Sequence, residues 1–156
     1  MTTLQRRAFL QLVLGATAAT AGATVATYAD TPPPGRRIAL SGYDPVSYFS
    51  DGRPEKGSQD FWYAFDDAVY LFRDANHRGM FAGDPERYAP QYAGFCAGGI
   101  SKGYKTEPDP EAWAIVNGKL FVMQRKDFVP EFKRDAAAII GKADTNWPTL
   151  GGSPIR

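Results

Sequence analysis

Cys96, His77 and Met80 are the side chains in this sequence whose types suit soft-metal or redox chemistry. Cys96 is the single cysteine of 156 residues and His77 the single histidine. A solitary thiol in an oxidising compartment must be buried, metal-bound, paired between molecules or functional. Three readings stay open for it: a small buried hydrophobe, a ligand for copper or another soft ion, or a reactive thiol. Reactivity needs a cation, a metal or a helix N-terminus beside the sulfur. Gly94 and the pair Gly98-Gly99 allow backbone amides to come close to it. His77 falls inside a predicted helix from Asp74 to Ala82, one turn before Met80 and Phe81, on or beside its apolar face. It reads as a partly buried, hydrogen-bonded structural histidine, with the alternative that His77 and Met80 share a metal with Cys96. One Cys and one His cannot complete a tetrahedral zinc site within one chain.

The rest of the chain offers little else for catalysis. Asp44, Asp84 and Asp109 each precede proline and read as helix N-caps. The carboxylates are scattered, so no general acid–base pair stands out. Gly-x-Ser-x-Gly, phosphate-cradling glycine loops and Cys-x-x-Cys-His are all missing from the sequence. No arrangement names an enzymatic reaction, and the reading leans away from an enzyme.

Composition narrows the class. Lys+Arg 18 against Asp+Glu 17 excludes the broadly basic surface of a non-specific nucleic-acid binder. An aromatic content of 13% argues against disorder. A single cysteine excludes an internal disulfide framework. The length suits one domain.

Residues 1–29 read as an export signal. Arg6 and Arg7 precede an uncharged stretch from Ala8 to Ala29, and Thr27-Tyr28-Ala29 makes an acceptable cleavage site before Asp30. Arg6-Arg7-Ala8-Phe9-Leu10 resembles the twin-arginine signal. Its strongly apolar part is about a dozen residues, short of the ~20 a spanning helix needs, so no stable span is expected after cleavage. The mature chain would keep 16 basic and 17 acidic residues. Residues 30–36 form a proline-rich linker, 37–150 the folded domain and 151–156 a tail.

The elements that must position these residues follow from pattern. Phe61 to Phe65 and Ala68 to Phe72, joined by Asp66-Asp67, predict a hairpin. Trp113 to Val116 and Lys119 to Met123 predict a second, with Asn117-Gly118 as a type I′ turn. Short helices are expected after Asp44-Pro45 and Asp84-Pro85, and a helical turn leading into a strand at Asp109-Pro110. The recurrence of Asp-Pro reads as local chemistry and not as an internal repeat. Phe128, Phe132, Ala136 and Ile139/Ile140 mark one apolar face of a longer C-terminal helix, closed by Gly141, with Trp147 folding back as an anchor. Phe61, Trp62, Tyr63, Phe65, Tyr70 and Phe72 read as core. The fold class is α+β: one small domain of short antiparallel hairpins, several short helices and a longer C-terminal one.

Several stretches carry a family resemblance: Gly42-Tyr43-Asp44-Pro45-Val46-Ser47-Tyr48-Phe49, Lys56-Gly57, Asp84-Pro85-Glu86-Arg87-Tyr88-Ala89-Pro90-Gln91-Tyr92 and Gly94-Phe95-Cys96-Ala97. It continues through Asp109-Pro110-Glu111-Ala112-Trp113, Gly118-Lys119-Leu120-Phe121 and Asn146-Trp147-Pro148. Together they resemble the YHS-domain family, in its exported bacterial branch of YHS domain-containing (seleno)proteins. The resemblance covers nearly the whole mature chain. It implies a small metal-binding module, with Cys96 at the position that holds selenocysteine in some members.

These readings combine into one expectation. The chain is a periplasmic YHS-type protein, exported by the twin-arginine machinery, that binds a copper-like ion through Cys96. The further donors would be His77, Met80, backbone or a second subunit, since two Cys96 thiolates across a dimer would suit Cu(I). A metal-handling partner is a further expectation. The alternatives are a thiol-dependent redox protein resolved by an external thiol, and an interaction module with no chemistry.

Overall fold

The computed structural model describes residues 31–156, so the export signal and the first residue of the linker lie outside the described residues. The domain is α+β and runs as two halves of similar plan. The first half has strand β1 (Arg37–Ile38), a 3-10 turn at Ala39–Gly42, helix α1 (Ser47–Ser50), and strands β2 (Ser58–Phe65) and β3 (Ala68–Phe72). Helices α2 (Ala75–Gly83) and α3 (Pro85–Tyr88) follow. The second half has a 3-10 turn at Gln91–Gly94, helix α4 (Ala97–Ser101), and strands β4 (Asp109–Val116) and β5 (Lys119–Met123). It ends in α5 (Val129–Arg134) and α6 (Ala136–Asn146).

The two halves repeat each other in detail. Leu40, Ser41 and Gly42 are all left-handed, with φ 53°, 51° and 80°. Tyr92, Ala93 and Gly94 match them at 58°, 50° and 76°. Two residues after each glycine, the backbone N–H pairs across the loop: Asp44 donates to Glu55 O at 2.8 Å and Cys96 to Thr106 O at 3.0 Å. Each hairpin then has one irregularity at the same place, since Ser58 faces Phe72 before Trp62 faces Leu71. Asp109 likewise faces Met123 before Trp113 faces Val122. Both hairpin turns begin left-handed, at Asp66 (φ 50°) and Asn117 (φ 51°).

The sequence reading finds no internal repeat; the structure contains one. Asp-Pro does not mark it, because Asp109 corresponds to Ser58 and Asp44 to Cys96. Backbone geometry carries the duplication, and side-chain identity has largely diverged.

Left-handed backbone at residues with a Cβ costs about 1–2 kcal/mol each, so their surroundings must hold them. Arg37 does this for the second turn: Nη1 donates to Ala93 O at 2.7 Å and Nη2 to Gly94 O at 3.2 Å. Its Nε and Nη2 also donate to Glu107 Oε1 and Oε2, at 2.6 and 2.9 Å.

The β4–β5 hairpin divides the core. Leu120 and Val122 face Tyr48, Tyr70, Phe72 and Phe81 of the first half. Ala112, Ala114, Phe121 and Met123 face Phe95, Cys96, Ile100, Phe132 and Ala143. The first hairpin buries its other face in a small cluster of Trp62, Val69 and Leu71. Tyr70 and Phe72 are fully buried, whereas Phe61, Tyr63 and Phe65 are only partly covered.

Both expected hairpins form, and Asp74 caps α2 by accepting the His77 N–H at 2.8 Å. Asp84 caps α3 with Pro85 in its first turn. Three expectations fail. Asp44 does not cap α1, whose N-cap is Val46; its carboxylate accepts the Val46 N–H ahead of the helix. Asp109-Pro110 begins strand β4 directly: Asp109 Oδ1 accepts the Glu111 N–H at 2.9 Å, and the strand's irregularity absorbs the turn. The C-terminal helix breaks at Asp135 (φ −110°, ψ 21°) into α5 and α6, which sets Phe132 and Ala143 into one core. Gly141 lies inside α6, which ends at Asn146. Trp147 does fold back, with its ring 5.9 Å from Tyr92 and 6.2 Å from Phe95. The tail is tied down as well: Ile155 pairs with Lys105, and the Arg156 N–H donates to Lys105 O at 2.9 Å.

Candidate functional site

Cys96 stands between the left-handed turn and helix α4, whose first-turn bond runs from the Ile100 N–H to Cys96 O at 3.0 Å. The residue is 4% exposed. Its sulfur accepts the Gln124 N–H, with N to Sγ 3.2 Å. That donor is the first residue after β5, held there by the hairpin register.

Cys96 lines a pocket of about 500 Å³ together with Gly98, Gly99, Lys102, Tyr104, Gln124, Arg125 and Phe128. The glycines serve packing. A Cβ on Gly98 would lie 2.8 Å from the Phe128 ring, and one on Gly99 2.8 Å from Thr106 Cγ2 and 3.0 Å from Tyr104 O. The two glycines let Phe128 and Tyr104 wall the pocket, and the amide that reaches the sulfur comes from Gln124. Lys102 and Arg125 bring positive charge to the rim, with Arg125 paired to Asp127 at 3.2 Å. That rim suits an anionic partner.

His77 and Met80 are not part of this pocket. His77 is 2% exposed and Asp44 fully buried, with His77 Nδ1 2.7 Å from Asp44 Oδ2. The carboxylate acceptor places the proton on Nδ1. Asp44 also accepts the Val46 N–H at 2.8 Å and the Arg73 N–H at 3.0 Å. His77 Nε2 lies 3.5 Å from Ser50 Oγ. This is the hydrogen-bonded structural histidine among the two readings. Met80 packs against the first-half core, where its sulfur is 3.7 Å from Asn76 Nδ2. The set of Cys96, His77 and Met80 is therefore split between the two halves, whose cores lie on opposite faces of the β4–β5 hairpin. The spacing along α2 is as expected; the failure lies in which core the helix joins. Among the described residues, no group of three or more His, Cys, Asp and Glu is placed to hold a metal ion.

Reading the sequence misses Lys102, Tyr104, Gln124, Arg125 and Phe128. The one signal that points to them is the pair Gly98-Gly99, whose missing Cβ atoms make room for two aromatic walls. Arg37, also missed, holds the turn that delivers Phe95 and Cys96.

Comparison with protein-family models, with curated proteins and with solved structures gives no match for this chain.

Proposed function

We propose that this protein is an exported YHS-type domain, residing in the periplasm after passage through the twin-arginine route, that works through the Cys96 thiol. The leader pattern of residues 1–29 and the motif resemblance support the first part. The second part is carried by one observation: Cys96 lines a pocket whose rim holds Lys102 and Arg125. Positive charge there draws in anionic partners.

The chemistry is thiol–disulfide exchange. The Cys96 thiolate attacks one sulfur of an external disulfide, forming a mixed disulfide and expelling the other sulfur as a thiolate. An external thiol then attacks the mixed disulfide, restores Cys96 and leaves as the new disulfide's second half. No second cysteine is available in this chain to resolve it. The soft-metal reading keeps the same sulfur. A Cu(I) ion at Cys96 would draw its further donors from a second copy or a metal-handling partner, because His77 is committed to Asp44.

One experiment separates the readings. The exported protein and its Cys96→Ser variant are tested for native-state labelling by the dianionic disulfide 5,5′-dithiobis(2-nitrobenzoate), and for bound metal by elemental analysis. Labelling of the folded wild type, slowed about tenfold by Lys102→Gln with Arg125→Gln, is the expected result. Labelling only after denaturation would sink the thiol reading. Near-stoichiometric copper lost in Cys96→Ser would replace it with the metal reading.

A further inference from the structure

A second cavity lies beside Phe95, and it is independent of Cys96. It measures about 590 Å³ and is bordered by Arg36, Arg37, Lys105, Phe95 and Trp147, with the Gly151–Ile155 segment along one wall. That volume is in the range of small-molecule sites.

The informative residue is Lys105. It is 8% exposed, and its ammonium donates to Gly151 O at 3.0 Å. The ring of Phe95 lies 5.4 Å from Nζ. Among the described residues, no carboxylate pairs with it. A buried ammonium with one carbonyl partner bears a desolvation cost that an anion beside it would offset.

The other charges set the valence of the ligand. Arg37 is neutralised by its paired bonds to Glu107. Arg36 is exposed at the mouth, with a 3.5 Å contact to Asp66 O. Asp67 contributes one carboxylate to the rim. Lys105 and Arg36 against Asp67 leave room for a single negative charge. The Phe95 and Trp147 rings, 6.2 Å apart, offer apolar walls.

We propose that this cavity binds a small organic monocarboxylate, its carboxylate on Lys105 and its flat apolar body between the rings and the tail segment.

The test is a titration of the full chain with sodium benzoate, followed by amide and indole NMR shifts, with neutral benzamide as the isosteric control. Saturable shifts at the Trp147 indole and at the Phe95, Lys105 and Ile155 amides are expected for benzoate, with a Kd on the order of millimolar. Lys105→Met should weaken that binding about tenfold, and Lys105→Arg should keep it. Equal response to benzamide would overturn the proposal. So would shifts confined to other residues, or none at all. If Lys105→Met does not fold, Arg36→Gln carries the charge test: weaker benzoate binding supports the site and unchanged binding counts against it.

Discussion

Asp44 and Cys96 occupy the same position in the two halves of the domain. Each follows a left-handed turn by two residues, and each accepts a hydrogen bond from the first residue after a returning strand. Arg73 N–H donates to Asp44 Oδ2 at 3.0 Å, and Gln124 N–H to Cys96 Sγ at 3.2 Å. Four residues further on, the first half has His77 and the second has Phe128. In the first half the acceptor is locked into a buried pair with that histidine. In the second half an aromatic wall replaces the histidine, and the acceptor is left bordering a pocket. One scaffold thus yields a carboxylate committed to a buried pair and a buried thiol beside a pocket.

Removing the first-half acceptor should be severe. Asp44→Ala strands the Val46 and Arg73 amides and the His77 ring N–H, and should cost about 3–5 kcal/mol, as breaking a buried pair does. The change is read as a fall in the urea midpoint. By contrast, His77→Gln should leave the native labelling rate of Cys96 unchanged, since the two lie in different cores. A large change in that rate would mean the halves are coupled in a way the packing does not account for.

Cys96→Ser keeps an acceptor for Gln124 and should abolish disulfide labelling with little loss of stability. Cys96→Ala removes the acceptor and should cost about 1–2 kcal/mol. Comparison of the two unfolding curves separates the sulfur's structural contribution from its chemistry.

Gly57 is under tighter constraint than any glycine near the pocket. A Cβ there would lie 2.6 Å from both the Leu71 carbonyl carbon and its Cβ, and 2.7 Å from Leu71 O. Backbone cannot swing aside as a side chain can. Gly57→Ala should therefore destabilise by about 2 kcal/mol or more, and calorimetry would detect it as a lowered Tm.

The Asp74 cap makes stability depend on acid. The His77 N–H, and after it the Arg73 side chain, hold the Asp74 carboxyl below its ordinary value. A depressed folded pKa means the contribution is present above the unfolded value, ~4. It is lost as pH falls through the folded one. Asp74→Asn keeps a capping oxygen but removes this dependence. Urea midpoints across the acid range should converge for the two proteins at low pH and separate toward neutrality.

At Asp66 the sign is opposite. Burial, then the charges of Asp67 and Glu86, push its carboxyl upward. Its ionised form is therefore less favourable in the folded chain than in the unfolded one, and stability drops as pH rises through the folded pKa. Asp66→Asn removes that charge, and asparagine tolerates the φ of 50° found there. A higher Tm at neutral pH is expected; an unchanged or lower one would show the neighbouring carboxylates are screened.

The sequence by itself determined the elements whose signals are local. Asn117-Gly118 dictates a two-residue turn because both residues adopt positive φ cheaply. Asp74 and Asp84 announce helix starts because their carboxylates satisfy first-turn amides. Alternating aromatic and aliphatic residues flank each turn, so both hairpins and the α+β class were legible. Even the structural histidine was among the readings of His77.

Only the tertiary structure decided what depends on contacts between distant residues. The left-handed turns at Leu40–Gly42 and Tyr92–Gly94 leave little trace beyond their closing glycines, since Arg37 and the surrounding packing hold the others in place. The duplication is invisible for the same reason: it lives in backbone angles and strand register, which unlike side chains can satisfy equally well. Helix periodicity put His77 and Met80 together correctly but carries no information on which face of the β4–β5 hairpin their helix will cover. That choice separated them from Cys96, and it gave the thiol Lys102, Arg125 and Phe128 as neighbours instead.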